Sequence, residues 1–491
     1  MRRAAMMIDM AGWRLEHTYA ELPELFHSPA VPVPVAAPRV VAFNRPLAAT
    51  LGLDADALDG PDAAAIFAGN ALPAGARPLA QAYAGHQFGH FTALGDGRAI
   101  LLGEQITPAG KRLDIQLKGA GQTRYSRRGD GRAALGPMLR EYIISEAMHA
   151  LGIPTTRSLA VVTTGEPVYR ETLLDGAVLT RVAASHVRVG TMEWASARRD
   201  HDALLALADY TRARHYPELA DAPDPHMALF EGIVERQASL IARWQLTGFI
   251  HGVMNTDNMA LSGETIDYGP CAFMNAYDPA TVFSSIDHAG RYAYGNQPPI
   301  AQWNLARLAE AMLPILDADP DRAVQRATAA LDRFPQQFAL HWLNGMRAKL
   351  GLFTPEPDDK VLVDDLLSWM QRRGADFTNT FRDLSRAASV TPLVADDPDF
   401  DTWHRRLLAR RARQPQSPAE AEDLMRRHNP SVIPRNHKVE EALDAATKGH
   451  DFSVMERLLD AVRAPYDHAR DLAEFSTPPQ SGLPYRTFCG T

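Results

Sequence analysis

A short segment near the middle of the chain concentrates residues that can bind a cation and accept a proton. Residues 251–258 read HGVMNTDN, and the triplet DYG follows at 267–269. Mg²⁺ prefers hard oxygen ligands and keeps several waters, so the amide of Asn258 and the carboxylate of Asp267 suffice beside phosphate groups. Asp257 could take a proton from an attacking hydroxyl. We interpret these residues as a metal and catalytic site; the alternative is that they only cap and turn the chain.

A lysine at the end of a strand-like run is the second chemical feature. Lys118 closes the run 113–118, and Glu141 follows 23 residues later within a helical pattern. A kinase-like site pairs a strand lysine with a helix glutamate, which orients the ammonium toward phosphate. The segment Gly95-Asp96-Gly97-Arg98 precedes the neighbouring strand, and its glycines would let backbone N–H groups approach phosphate oxygens. A plain turn, a surface lysine and a solvated glutamate remain the alternatives.

Two further groups of polar residues could contact a nucleotide. Asp130 and Gly131 lie in the polar loop 127–132, at the entry to the predicted helix. Arg181 and Arg188 flank Ser185 and His186 and could neutralise a triphosphate or a leaving pyrophosphate. A solvated loop and structural ion pairs are the respective alternatives. His86 and His90 are spaced for zinc on a helix, but the glycines around them favour a hydrogen-bonded loop.

Periodicity in the sequence predicts the strands and helices that surround these residues. Short strand-like runs separated by Pro and Gly at 108–112 predict an antiparallel hairpin over 99–105 and 113–118, and steps of three and four predict a helix over 133–151. Strands are predicted at 159–162 and 178–182, joined by a turn around Gly165 and Gly176. Helices are predicted to dominate after residue 200: a long apolar stripe predicts one over 225–247 that ends at Gly248, and a loop follows to about residue 300. This order favours an α+β, two-lobed nucleotide-binding enzyme with its site between the lobes.

Length and composition limit the functional classes. The chain has 491 residues, a formal net charge of −8 and two cysteines. The mildly acidic balance argues against a nucleic-acid partner, and two cysteines cannot make a secreted disulfide framework. No run of 18 apolar residues predicts a membrane span, and the N-terminus is not a convincing signal peptide. We therefore expect no nucleic-acid or membrane partner and a cytoplasmic location.

Several of these segments together resemble the selenoprotein O (YdiU) family, a protein-kinase-like group. The matching stretches are 81–90 (QAYAGHQFGH), 94–98 (LGDGR), 114–132 (DIQLKGAGQTRYSRRGDGR), 251–258 (HGVMNTDN), 267–270 (DYGP) and 433–437 (IPRNH). The resemblance runs over nearly the whole chain. It implies a kinase-like fold with a small β-rich N-lobe carrying one helix and a larger helical C-lobe, and it implies a nucleotide bound in a flipped orientation. The corresponding domain boundaries are 1–80 for an N-terminal extension wrapping the core, 81–185 for the nucleotide-binding N-lobe, 186–400 for the C-lobe and 401–491 for a C-terminal helical extension and tail.

The resemblance also implies a reaction and residue roles. The reaction is transfer of AMP from ATP, or of UMP from UTP, to Ser, Thr or Tyr hydroxyls of protein substrates, with release of pyrophosphate and help from Mg²⁺ or Mn²⁺. The residues that would bind the nucleotide are Gly95, Gly97, Arg98, Lys118, Asp130, Gly131, Arg181, Arg188 and Asp267. Asn258 and Asp267 would hold the metal ion. Asp257 would be the catalytic proton acceptor, and Glu141 would orient Lys118.

One detail of the residues themselves argues against a standard kinase. A conventional catalytic loop places its base five residues before the metal-binding Asn. Here that position is Val253, which cannot accept a proton, and the nearby carboxylate is Asp257. Three functions remain open on the residues alone: a nucleotidyltransferase, a kinase-like phosphotransferase and an inactive ATP-binding pseudoenzyme.

The two cysteines suggest a separate hypothesis. Cys271 follows the triplet 267–269 by two residues, and Cys489 lies on a tail that could reach back to it. Disulfides inside cells are usually transient and regulatory, so a redox pair would clamp this loop. The alternative is two unrelated thiols.

Overall fold

The computed structural model of the chain describes residues 11–59, 61–386, 397–480 and 485–488. It combines one large antiparallel sheet with many helices. The predicted mixture of helices and strands is therefore confirmed. Within the described ranges, none of the helices is both long and apolar enough to cross a membrane.

The central sheet has nine strands within the described residues. They are β1 (Leu15–Glu16), β2 (His27–Pro29), β3 (Arg39–Phe43), β4 (Leu79–Gln81), β7 (Ala99–Ile106), β8 (Arg112–Lys118), β9 (Ala133–Ala134), β10 (Arg157–Tyr169) and β11 (Leu173–Ala183). Seven of them lie in the order β2-β4-β7-β8-β11-β10-β3, while β1 pairs with β7 and β9 pairs with β11. Two small ribbons, β5 (Ala84–Gln87) with β6 (His90–Ala93) and β12 (Phe249–Ile250) with β13 (Ala272–Phe273), complete the strands.

Both faces of the sheet are buried, because successive side chains of a strand point to opposite faces. Leu101, Val161 and Leu179 share one core with the helix that follows β9. Their neighbours Ile100, Val162 and Val178 share a second core with two short helices from the N-terminal region. The strands therefore read as nearly continuous apolar runs rather than alternating ones. A third core packs the helices of residues 346–384 and 398–407 against the β12–β13 ribbon and residues 274–294.

The predicted hairpin is confirmed, since β7 and β8 pair antiparallel and bring Ala99 opposite Lys118. The predicted turn between the next two strands is wrong. β10 and β11 turn at Arg170, whose N–H donates to the carbonyl of Thr172, and Gly165 and Gly176 lie inside the strands. A Cβ on Gly176 would lie 2.5 Å from Thr164 Oγ1, so this glycine permits close strand contact rather than a turn.

The helices dominate the chain after the sheet, as predicted. In chain order they are α1 (Arg45–Leu51), α2 (Pro61–Ala68), α3 (Leu135–Ala150), α4 (Val189–Ala197), α5 (His201–His215), α6 (Pro225–Thr247), α7 (Gln297–Leu316), α8 (Pro320–Leu331), α9 (Phe334–Lys349), α10 (Asp359–Arg373), α11 (Phe377–Leu384), α12 (Pro398–Arg411), α13 (Pro418–His428), α14 (Asn436–Gly449), α15 (Ser453–Val462) and α16 (Ala473–Ser476).

Helix α6 shows how local sequence sets an element that positions the site. It begins after Asp224, whose side chain accepts a hydrogen bond from the N–H of Met227, with Pro225 in its first turn. It ends at Gly248, which adopts the left-handed conformation with φ of 73°. The apolar stripe of the helix, including Phe230 and Ile241, is fully buried. The chain then enters β12 and residues 251–258 directly.

Candidate active site

The side chain of Lys118 lies at the centre of a buried network of charges. Its Nζ is 2.5 Å from Glu141 Oε2 on helix α3 and 2.9 Å from Asp267 Oδ1. Lys118 ends strand β8, and Glu141 lies one turn before Ser145 on the helix face that packs on the sheet. The structure therefore brings together the strand lysine and the helix glutamate that the sequence singled out.

Two arginines form ion pairs with Asp267 in addition to Lys118. Arg181 Nη1 lies 2.7 Å from Asp267 Oδ1, and Arg188 Nη1 lies 3.3 Å from Asp267 Oδ2. Burial alone would raise the pKa of Asp267, but the charges of Lys118, Arg181 and Arg188 outweigh it and hold the pKa well below its usual value. The carboxylate is therefore ionised at any physiological pH and gathers three cations at one point.

Asp257 and Asn258 lie in a short 3₁₀ turn, Thr256–Asn258. Asn258 Nδ2 donates to the carbonyl of Val253 at 3.0 Å, and Arg188 Nη1 donates to the carbonyl of Asp257 at 2.8 Å. The carboxylate of Asp257 is buried, and its Oδ1 has no hydrogen-bond partner among the described residues. Burial, only partly offset by the charge of Arg188, raises the pKa of Asp257 to about 6.

The β5–β6 hairpin, which carries the sequence GHQFGH, covers this turn. The N–H of His86 donates to Thr256 Oγ1 at 2.7 Å, and the N–H of Phe88 donates to Asn255 Oδ1 at 3.0 Å. Gly85 touches the catalytic candidate, since a Cβ there would lie 2.2 Å from Asp257 Oδ1. His86 and His90 lie in this ribbon rather than on a helix, and His86 Nδ1 is hydrogen-bonded to Glu193.

This covering role was missed by the sequence analysis, which gave the motif no function. A signal was available, because two glycines and two histidines in six residues are unusual for a surface strand. Glu193 on helix α4 accepts a hydrogen bond from Thr256 Oγ1 at 2.6 Å, so hairpin, turn and helix are joined through one hydroxyl. These contacts fix the backbone of residues 255–258 from two sides.

A cavity of about 480 Å³ connects these groups. Nine of the residues predicted to form the site line it: Gly97, Arg98, Lys118, Glu141, Arg181, Arg188, Asp257, Asn258 and Asp267. The volume lies within the range of ordinary small-molecule sites. Its walls combine apolar side chains, such as Tyr83 and Met138, with a dense set of charges. Such a cavity suits a ligand that has both a flat apolar part and several negative charges.

Three predicted nucleotide contacts are not among the residues lining this cavity. Asp130 pairs with Arg170 at 2.8 Å and is half-exposed. Gly131 packs against Gly121, where a Cβ would lie 2.2 Å from the carbonyl oxygen. Gly95, with φ of 110°, lies against the ring of Tyr125. These residues shape the loops beside the cavity, and their roles as nucleotide ligands stay predictions.

The donors available to a metal ion are oxygen atoms. Because Asn258 Nδ2 is used by Val253, the oxygen Oδ1 of that amide is the atom free to bind a cation. Asp267 supplies carboxylate oxygens beside it, and both residues line the cavity. The described residues contain no cluster of three or more His, Cys, Asp or Glu side chains suited to a metal. One amide and one carboxylate fit Mg²⁺ or Mn²⁺ that takes its remaining ligands from phosphates and water.

The cysteine hypothesis is only partly within the described residues, because Cys489 lies outside them. Cys271 is buried and has no partner cysteine among the described residues, and burial raises the pKa of its thiol to about 12. The described end of the tail lies close to it: Thr487 Oγ1 donates to the carbonyl of Pro270 at 2.6 Å. Tail and loop are therefore neighbours, and the pairing itself stays a prediction.

Comparisons with known proteins agree with the motifs. The family model described as Protein adenylyltransferase SelO matches residues 13–463. A protein of Bacillus cytotoxicus named Protein nucleotidyltransferase YdiU is 59% identical over 481 residues, covering 98% of each chain. Proteins of the same name from Halalkalibacterium halodurans and Alkaliphilus metalliredigens are each 60% identical, covering 98% and 99% of each pair of chains, respectively.

Proposed function

The chain belongs to the family of SelO protein adenylyltransferases, and from that membership we propose that it transfers AMP from ATP to hydroxyl groups of proteins. The oxygen of a Ser, Thr or Tyr side chain forms a bond to the α-phosphorus, and the bond from that phosphorus to pyrophosphate breaks. UTP is a second donor of the same chemical class, with UMP as the group transferred. The observation that carries the proposal is that Asp257 and the Lys118–Asp267 pair line one cavity.

The cations of the cavity bind the triphosphate in this proposal. Lys118, Arg181 and Arg188 already converge on the carboxylate of Asp267. Arg98 also lines the cavity, and its guanidinium forms no ion pair with any described residue, so it is available for a phosphate. Charges held in place before the reaction stabilise the developing negative charge of the transition state without reorganisation. Glu141 keeps the ammonium of Lys118 directed into the cavity.

Asn258 and Asp267 would hold Mg²⁺ or Mn²⁺. When bound, the ion supplies positive charge to the phosphate oxygens, as in other phosphate-transferring enzymes. The free amide oxygen of Asn258 and the ionised carboxylate of Asp267 support this assignment.

Asp257 accepts the proton of the attacking hydroxyl. Its raised pKa, about 6, leaves it mostly ionised near pH 7 while making it a better base than an ordinary carboxylate. Asp257 lines the cavity, so its carboxylate can receive the proton there. Arg188 and the backbone contacts of the β5–β6 hairpin hold the turn that carries Asp257.

We also propose that the chain has the two lobes of a kinase-like fold, with boundaries near residues 81, 186 and 401. Supporting this division, the central sheet with helix α3 precedes a region of helices, and the cavity takes residues from both. The segment 1–80 contributes β1, β2 and β3 to the sheet, so the extension and the N-lobe share one core.

Intact-mass spectrometry tests the reaction directly. The protein is incubated with an acceptor protein such as casein, Mg²⁺ or Mn²⁺, and ATP labelled on either the α- or the γ-phosphate. We expect label from the α-phosphate on protein hydroxyls, together with an adenylyl mass increment. Label from the γ-phosphate would instead identify a phosphotransferase. Nucleotide binding with no adduct would identify a pseudoenzyme.

A further inference from the structure

A second cavity, of about 300 Å³, shares no lining residue with the nucleotide cavity. We call it the lysine cavity after Lys349, the last residue of helix α9. Its walls are the turn after helix α3 at Gly152, the end of helix α6 with Arg243, and the ring of Tyr466. A volume of this size lies at the lower end of the range for small-molecule sites.

The ammonium of Lys349 is buried without an acidic partner. The residue is 2% exposed, and no carboxylate of a described residue lies within ion-pair distance of its Nζ. Its nearest acceptor is the carbonyl of His428, at 3.4 Å, and its Nζ lies 4.4 Å from the centre of the Phe381 ring. Burial lowers the pKa of Lys349 to about 7. A carbonyl at that distance and an aromatic face offset only part of the cost of burying a charge.

The rest of the lining adds positive charge and no acid. Arg243 Nη1 donates to the carbonyl of Gly152 at 2.8 Å and forms no ion pair within the described part of the chain. His341 and His428 also line the cavity, and no described aspartate or glutamate does. One lining residue, His341, contacts an acid: its Nε2 lies 2.6 Å from Glu235 Oε1. Glu235 itself does not line the cavity. Among the described residues, neither the buried cation Lys349 nor the exposed cation Arg243 has an acidic partner.

We propose that the lysine cavity binds a small oxyanion, of the phosphate or carboxylate type, with Lys349 and Arg243 as its direct ligands. An oxyanion supplies the missing negative charge and accepts charge-assisted hydrogen bonds from both side chains. Ser239 lines the same cavity and offers a neutral hydroxyl donor.

The position of this site in the fold gives it a structural consequence. Gly152 follows helix α3, which carries Glu141, and Arg243 lies one turn before the end of helix α6, which leads into residues 251–258. A bound anion joins these two helices and α9 through shared contacts. The anion thereby stabilises helix α3, which carries Glu141, and the end of helix α6, which leads into residues 251–258 of the nucleotide site.

Calorimetric titration of the full chain tests the proposal, with inorganic phosphate and succinate as separate probes. The chain is first saturated with the non-hydrolysable α,β-methylene analogue of ATP, which occupies the nucleotide cavity. We expect one equivalent of phosphate or succinate to bind, and which of the two binds identifies the anion type. Lys349→Met should weaken this binding on the order of tenfold or more, because a charged hydrogen-bond partner is lost. Lys360→Met, on the surface of helix α10, should leave it unchanged.

Arg243→Gln keeps the test decisive if Lys349→Met does not fold, as judged by its circular dichroism and thermal unfolding. Arg243 is exposed, so its replacement should preserve the fold and still weaken anion binding. Absence of binding by both probes in the unaltered chain would overturn the proposal. Equal binding by the unaltered chain and by folded Lys349→Met or Arg243→Gln would also overturn it.

Discussion

Lys118 Nζ lies 2.9 Å from Asp267 Oδ1, although 149 residues separate the two in sequence. The contact joins a strand of the central sheet to the loop after β12, and both residues line the same cavity. Asp267 adopts a positive φ of 65°, which is uncommon for a residue other than glycine. An uncommon backbone conformation at a residue whose carboxylate contacts three cations is consistent with a functional role for Asp267.

Asp267→Asn should reduce AMP transfer by about 100-fold or more, because the carboxylate organises three cations and is the proposed metal ligand. The amide keeps the shape of the side chain and removes its charge. Initial rates with α-labelled ATP measure the effect. Asp444→Asn, on the exposed face of helix α14, is the matched control and should keep full activity. Undiminished transfer by Asp267→Asn would show that the metal assignment is wrong.

The pH dependence of transfer should report the ionisation of Asp257. A proton acceptor works only as a carboxylate, so activity should fall as the pH drops through about 6, the pKa to which burial raises this group. Asp257→Asn should lower kcat by a factor of about 10² to 10⁴ and remove this acid limb from the residual rate. A profile of kcat that stays flat from pH 8 to pH 5 would exclude Asp257 as the base.

The replacement Asp257→Asn should also increase the free energy of unfolding near neutral pH. The pKa of Asp257 rises on folding from 3.8 to about 6, so the folded state holds its proton more tightly than the unfolded state. Stability from this group is present below pH 4 and is lost as the pH rises through about 6. The shift corresponds to about 3 kcal/mol at most. Urea unfolding should therefore show Asp257→Asn more stable than the unaltered chain at pH 7.5. A smaller difference at pH 7.5 than at pH 4 would contradict the assigned shift.

Gly85→Ala should damage activity through the position of Asp257. The added Cβ would meet Asp257 Oδ1 at 2.2 Å, so either the hairpin or the catalytic carboxylate must move. We expect a loss of kcat and a destabilisation of about 1–3 kcal/mol. Gly449→Ala is the control, because no described atom outside its own helix and chain neighbours lies within 4 Å of the added Cβ. Equal kcat values for the two variants would mean that the β5–β6 hairpin does not determine the position of the Asp257 carboxylate.

Cys271 should resist alkylation in the native protein, because its thiol is buried and its pKa is raised to about 12. Iodoacetamide labelling followed by peptide mapping measures this. Because the buried thiol should also react slowly with oxidants, only prolonged oxidation should give non-reducing maps with a peptide that links Cys271 to Cys489; Thr487 of the tail contacts Pro270. Maps that contain only free thiols would remove the redox hypothesis.

Local sequence patterns predicted a helix or strand correctly where its own apolar residues and capping residues mark its extent. The hairpin of β7 and β8, helix α3 and the end of helix α6 at Gly248 all follow from periodicity and capping. The turn between β10 and β11 was misplaced because glycine has two uses. Gly165, with φ of 71°, lies at an irregularity of the strand pair, where its conformation is needed without reversing the chain.

Contacts between distant segments could not be predicted in this way. The pairing of β3 with β10 and the closing of the β5–β6 hairpin over residues 255–258 depend on three-dimensional neighbours. Lys118, Glu141 and Asp267 were recognisable by residue type and spacing. The sequence could not show that Asp130 pairs with Arg170 and does not line the cavity, because a loop of similar composition can face either the cavity or the solvent.

The strand order of the central sheet bears on how the chain folds during synthesis. Its two outermost strands, β2 and β3, are made early, yet Phe43 pairs with Ala160, which the ribosome adds much later. Until then the nascent polypeptide carries an unpaired apolar strand, which invites aggregation. Closure of the sheet must therefore await a long stretch of translation, and a chaperone that shields the emerging N-terminal segment would improve the yield of native enzyme.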